Sequence, residues 1–208
     1  MSALLKKTHA AVGAAAALYM VKPDTIEGVA LAVTSGIVGG LLCDIDSTKT
    51  AIHQKAVLLV TAAAAIIIIG TLTGRVHIDL NQLGELFQDE AMDPRAAYGA
   101  ILLVLCLIAA FTRHRSFAHS IVFAVAVYWL MKHTFEAAAI PFAAGVVSHI
   151  AIDLLNDRGV QLFWPIKGQF SFRLCSSKGT VNSLFFYIGV GAAFLEAAQF
   201  LGITHLTI

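Results

Sequence analysis

The sequence predicts an all-α fold: a polytopic transmembrane bundle of about seven helices, with a short β-hairpin or extended loop after the sixth. Three observations lead there. Of the 208 residues, 58% are hydrophobic and only 13% are charged, whereas a soluble domain carries about 25% charged residues; mean hydropathy is +0.80. The apolar residues gather into separate runs, most long enough to cross ~30 Å of hydrocarbon at 1.5 Å per helical residue. Backbone groups in lipid must be satisfied within the segment, which makes such runs helices. Finally, Lys and Arg fall unevenly between the two sets of run ends.

The runs lie at about 3–21, 26–43, 56–74, 96–112, 117–131, 137–155 and 181–203. The first and fifth are short, so each is read as a span or as a tilted or half-buried helix. Lys6-Lys7 followed by residues 10–21 has the charge and length of a signal peptide. Tyr19-Met20-Val21-Lys22-Pro23 is a poor small-residue cleavage site, so the segment is read as retained. The second run contains a GxxxG in Gly36-Ile37-Val38-Gly39-Gly40. Residues 62–65 and Gly189-Val190-Gly191-Ala192-Ala193 are similarly small. Small residues let helices approach closely, here as packing within one chain rather than as a dimer face. Beyond the third run, Leu80, Leu83, Leu86 and Phe87 share a face of a short helix lying on the membrane. After the sixth run comes the turn Asn156-Asp157-Arg158-Gly159. Residues 160–166 and 170–174, parted by Lys167-Gly168-Gln169, then form the hairpin or extended loop, with Trp164 and the Phe residues suited to a membrane interface. No repeat or low-complexity segment divides the chain, so residues 1–208 are read as one domain.

With the N-terminus inside, the inner ends and loops hold Lys6, Lys7, Lys49, Lys55, Arg113, Arg115, Arg158, Lys167, Arg173 and Lys178. The outer loops hold Lys22, Arg75, Arg95 and Lys132. Cytoplasmic loops carry the excess of basic residues, which predicts a multi-pass protein of the inner (cytoplasmic) membrane with a cytoplasmic N-terminus. A net charge of +1 argues against a nucleic acid partner. Cys43, Cys106 and Cys175 include no CxxC pair and suggest neither a disulfide framework nor a thiolate zinc site.

Polar side chains interrupt this pattern at four places. Residues 112–120, TRHRSFAHS, stand between two apolar runs. Ionisable groups at membrane depth cost roughly 2.5 kcal/mol or more, so those kept there usually bind something. Thr8-His9, Cys43-Asp44-Ile45-Asp46-Ser47 and Ser148-His149-Ile150-Ala151-Ile152-Asp153 also sit at or near run ends. The orientation read from Lys and Arg brings all four to the cytoplasmic level. His149 and Asp153, spaced i, i+4, share a helix face. Asp44 and Asp46 would diverge on a regular helix but can both turn inward where the helix ends. The expected metal ligands are His9, Asp44, Asp46, His114, His119, His149 and Asp153. These donors exceed the four of a tetrahedral zinc, which suggests one or two divalent ions per chain. Imidazole with carboxylate suits Zn first, with Mn or Fe as alternatives. Arg115 is expected to hold an anionic substrate group, and Asp44 or Asp153 to act as general base. His53, His77, His133 and His205 lack nearby carboxylates in sequence and are read as ordinary helix-end or loop residues.

These stretches resemble the YdjM-like family of inner-membrane proteins, described as LexA-regulated, membrane-bound, predicted metal-dependent hydrolases. The resemblance rests on Thr8-His9 followed by Gly13, on Leu42-Cys43-Asp44-Ile45-Asp46, and on His114-Arg115-Ser116-Phe117-Ala118-His119-Ser120. It continues through Gly145-Val146-Val147-Ser148-His149 to Asp153 and on to Gly159-Val160-Gln161-Leu162-Phe163-Trp164-Pro165. It implies a helical membrane hydrolase with metal at these His and Asp positions and leaves the substrate open. Four positions depart from the family pattern: Cys43 stands for Pro, Ser47 for His, Ala118 for Thr and Arg113 for Gly. The loss at Ser47 removes a ligand or supporting group.

The functional expectation is a membrane-bound metal-dependent hydrolase acting on a phosphoester or lipid-linked substrate at the cytoplasmic leaflet, with membrane lipid as its partner. The alternatives are a metal-ion or small-solute transporter and a non-catalytic protein whose helices a metal staples together.

Overall fold

The computed structural model describes residues 3–46, 94–174 and 180–200. The third apolar run, the small residues at 62–65 and the surface segment at Leu80, Leu83, Leu86 and Phe87 lie outside the described residues. So do Ser47, His53, His77, Cys175 and His205.

Six helices are described: α1 (Ala3–Val21), α2 (Ile26–Leu42), α3 (Pro94–Ala110), α4 (Ile121–Thr134), α5 (Glu136–Leu155) and α6 (Thr180–Phe200). Short 3₁₀ turns cover Cys43–Asp46 and Phe117–His119. Ile26–Asp46, Glu136–Leu155 and Thr180–Phe200 are long and apolar enough to cross a membrane, while α3 and α4 are shorter apolar helices. Proline at the first position of α3 has no N–H to leave unsatisfied. Thr25 starts α2, its hydroxyl accepting the Gly28 N–H at 3.0 Å.

One boundary differs from the sequence reading in a way that matters. The fifth run was expected to be helical from about residue 117, but α4 begins at Ile121. Ser120 caps it: its hydroxyl accepts the Phe123 N–H at 3.1 Å and donates to the Phe117 carbonyl at 2.7 Å. That cap leaves residues 111–120 as a linker whose side chains are not bound to one helical face.

After α5 no hairpin strands form among the described residues, and residues 162–165 turn. The pairing there is a single antiparallel bridge between Val160 and Phe170, with N–H to carbonyl distances of 3.0 and 2.9 Å. The chain then runs back along the end of α5, where the Phe172 N–H bonds the Leu154 carbonyl at 2.7 Å and the Leu174 N–H bonds that of Leu155 at 2.9 Å. The Trp164–Pro165 peptide is cis.

Helices α1, α2 and α5 pack on one another, α6 packs on α1, and α4 bridges α5 to α3. Glycines set the spacing. A Cβ added to Gly40 of α2 would lie 2.6 Å from the His9 carbonyl oxygen of α1, and one on Gly145 of α5 would lie 2.7 Å from the Gly40 nitrogen. The GxxxG of α2 therefore packs within the chain, backbone against backbone. The small-residue stretch of α6 divides: Gly189 meets Val12 of α1, while Gly191 has nothing within 4 Å. This packing brings the start of α1 and the ends of α2 and α5 to one end of the bundle. The 111–120 linker joins them there.

Candidate metal centre

Each of the four polar stretches reaches this end by a different local device. His9 lies in the second turn of α1, where Gly40 lets α2 come close. Asp44 and Asp46 sit in the 3₁₀ turn that ends α2, and its tighter winding turns both inward: they are 4% and 2% exposed. His149 and Asp153 face inward together from α5. His119 comes from the 3₁₀ turn before α4, and His114 from the linker ahead of it. His9, His119, His149 and Asp153 are all buried; His114 keeps 34% side-chain exposure.

Asp153 stands at the middle. Its Oδ2 is 3.4 Å from His119 Nε2 and 3.7 Å from His149 Nε2. Its Oδ1 is 3.7 Å from His9 Nε2. The His9 and His149 rings stack at 3.7 Å. His149 donates its Nδ1–H to the Gly40 carbonyl at 2.6 Å, so its Nε2 presents a lone pair to the centre. On the other side, His114 Nδ1 lies 2.6 Å from Asp46 Oδ1 and His119 Nδ1 lies 3.3 Å from Asp46 Oδ2. Two groups of donors have their ligand atoms within 4.8 Å of one another: His9, His149 and Asp153, and Asp44, His114 and His119. Six of the seven residues expected as ligands fall in these two groups, and Asp46, outside both, adjoins His114 and His119.

The donor set fits a cation. His9 Nδ1, both ring nitrogens of His119 and His149 Nε2 are buried without a hydrogen-bond partner. Each such group costs about 1–3 kcal/mol unless something satisfies it. Zinc bonds of 2.0–2.2 Å at tetrahedral angles would hold neighbouring donors about 3.3–3.6 Å apart. The separations of 3.4 and 3.7 Å from Asp153 Oδ2 to His119 and His149 are close to that size. Electrostatics agree. Burial disfavours a charge on His119 in the linker, but Asp153 and Asp46 beside it outweigh burial and hold its pKa up at about 9. The carboxylates call for positive charge at this point.

Several groups that sequence reading missed support the donors. Asn156 donates its side-chain N–H to Asp153 Oδ1 at 2.9 Å. Its place three residues after Asp153, at the end of α5, was the available signal. The Gly40 carbonyl that orients His149 is a backbone atom and left none. The guanidinium of Arg115, expected to hold an anionic substrate group, donates to Asp153 Oδ1 at 3.0 Å and to the Arg158 carbonyl. Its backbone N–H bonds Asp46 Oδ2 at 3.0 Å. His133, set aside from the site, lies at the far end of α4, donating to the Trp129 carbonyl at 2.8 Å and packing on Tyr98.

No curated protein sequence and no solved structure matches the chain. One family model does: that of the YdjM inner membrane protein, over residues 4–207. That span takes in every donor of the centre and all of the described helices but their first residue, Ala3, and the chain belongs to the YdjM inner membrane protein family.

Proposed function

We propose that the protein is a metal-dependent hydrolase of the inner membrane, acting on a phosphoester or lipid-linked substrate at the cytoplasmic leaflet. One observation carries the reading: buried imidazoles and carboxylates from four separate stretches converge around Asp153, and only His114 among them reaches the outside. His9, His149 and Asp153 would hold one divalent ion, and Asp44, His114 and His119 a second or a shared one, with Zn favoured by the donor types. A divalent ion bound there would polarise a substrate oxygen and lower the pKa of water. His9 and His149 are stacked and fully buried, which would keep bulk water from that side. The side chain of His114 leaves an approach from the end of the bundle. Asp44 or Asp153, where not committed to metal, would take a proton from water as general base. Cytoplasmic placement rests on the distribution of Lys and Arg.

The full-length protein in lipid nanodiscs, loaded with Zn or Mn, should release phosphate or alcohol from a panel of lipid-linked phosphoesters, and His149→Ala should abolish release. Wild-type protein that binds metal but turns over nothing in the panel would defeat the hydrolase reading. The burial of His9, His119, His149 and Asp153 favours one alternative, a closed ion that staples the helices. Under it, metal would raise the melting temperature with no exchangeable coordination position.

A further inference from the structure

Asp46 and Asp153 are both buried carboxylates beside imidazoles, but their oxygens are used differently. Asp153 is split: Oδ1 accepts the Arg115 guanidinium at 3.0 Å and the Asn156 amide at 2.9 Å. Its Oδ2 faces His119 and His149. One oxygen is clamped and the other is turned to the centre. Asp46 is occupied on both sides. Its Oδ1 lies 2.6 Å from His114 Nδ1, and since a carboxylate only accepts, that nitrogen carries the proton. Its Oδ2 accepts the Arg115 backbone N–H at 3.0 Å.

Arg115 joins the two carboxylates and is held in an unusual conformation to do so. Its φ is 65°, in the left-handed region that L-residues rarely adopt. That backbone turn aims its N–H at Asp46 while the side chain reaches Asp153. The Arg158 carbonyl fixes the other arm of the guanidinium, and Arg115 is 7% exposed.

We propose that Asp46 and Arg115 are positioning residues rather than a metal ligand and a substrate anchor: together they form a frame that turns His114 Nε2 and Asp153 Oδ2 toward the metal. This rests on the metal-centre reading above and refines it. Asp46 sets the His114 tautomer by accepting its Nδ1–H, leaving Nε2 as the ligand nitrogen. Arg115 and Asn156 hold one oxygen of Asp153 so that the other binds. Carboxylates and carbonyls that orient ligating imidazoles in this way typically contribute about 10–100-fold to metal affinity.

Cobalt(II) titration of the purified full-length protein tests this through visible absorption, which reports donor number and type. If wild-type protein binds no cobalt, the metal centre itself fails. If it does, Asp46→Asn should bind the same number of ions with the same band positions and intensities, at about 10–100-fold lower affinity. Loss of one equivalent, or bands altered as expected for a lost oxygen donor, would make Asp46 a ligand and overturn the proposal. Unchanged affinity would overturn it too. Arg115→Lys is the second variant, read by itself should Asp46→Asn fail to fold. It should keep stoichiometry and bands but weaken binding by a similar factor. Unaltered cobalt binding in Arg115→Lys would return Arg115 to the substrate.

Discussion

Gly40→Ala tests whether backbone packing, and not the ligands alone, builds the centre. The new methyl carbon would lie 2.6 Å from the His9 carbonyl oxygen, where ordinary contact begins at 3.4 Å. Neither partner is a flexible side chain, so α1 and α2 must part by about 0.8 Å. His9 moves with its own carbonyl, and the Gly40 carbonyl that holds His149 moves with α2. Ligand distances in a working metal site hold to about ±0.2 Å, so a shift several times larger should cost at least tenfold in metal affinity. Overpacking of this kind costs about 1–3 kcal/mol in stability. The assay is elemental analysis and thermal melting of detergent-purified protein, beside Gly191→Ala. Gly191 has nothing within 4 Å, so that variant should match wild type. Gly40→Ala with wild-type metal content and melting temperature would refute the argument that close helix approach sets the site.

Three further outcomes are expected. His149→Ala removes a donor and leaves the Gly40 carbonyl without its partner. Metal affinity should fall by more than the roughly 10–100-fold of an outer-shell loss, measured by equilibrium dialysis, with helix content by circular dichroism unchanged. Arg115→Ala breaks a buried ion pair with Asp153 and should destabilise by about 3–5 kcal/mol in denaturant titration. Arg115→Gly, free of the left-handed penalty at φ 65°, should recover about 1 kcal/mol relative to the Ala variant. The pKa of His119, raised to about 9, makes metal and proton compete there. Metal affinity should rise with pH up to about 9, by as much as about tenfold per unit, with proton release seen in calorimetry. The metal-free protein should show the opposite slope. A pKa raised on folding adds stability that is full below the unfolded value of about 6.5 and fades as pH rises through about 9. Melting with chelator that does not fall between those pH values would contradict the charge balance drawn around Asp153.

The amino-acid order by itself determined the helical membrane character, because spans demand long apolar runs and nothing else in lipid satisfies the backbone. It also determined which side chains meet. His149 and Asp153 share a face by helical period alone, and the expected alternation of spans put His9, Asp44, Asp46, His114 and His119 at one end, where the structure brings them near Asp153 or one another. It missed where α4 starts, because the apolar run continues through Phe117 and Ala118 while the Ser120 cap is a local hydrogen-bond choice. Only the tertiary structure showed how the oxygens of Asp46 and Asp153 are partnered. Asp46 and Asp153 are chemically alike in sequence, and nothing there gives Arg115 its hydrogen bonds to both. Those assignments depend on a left-handed turn at Arg115 and a carbonyl at Gly40, backbone features that helix periodicity and residue type do not encode.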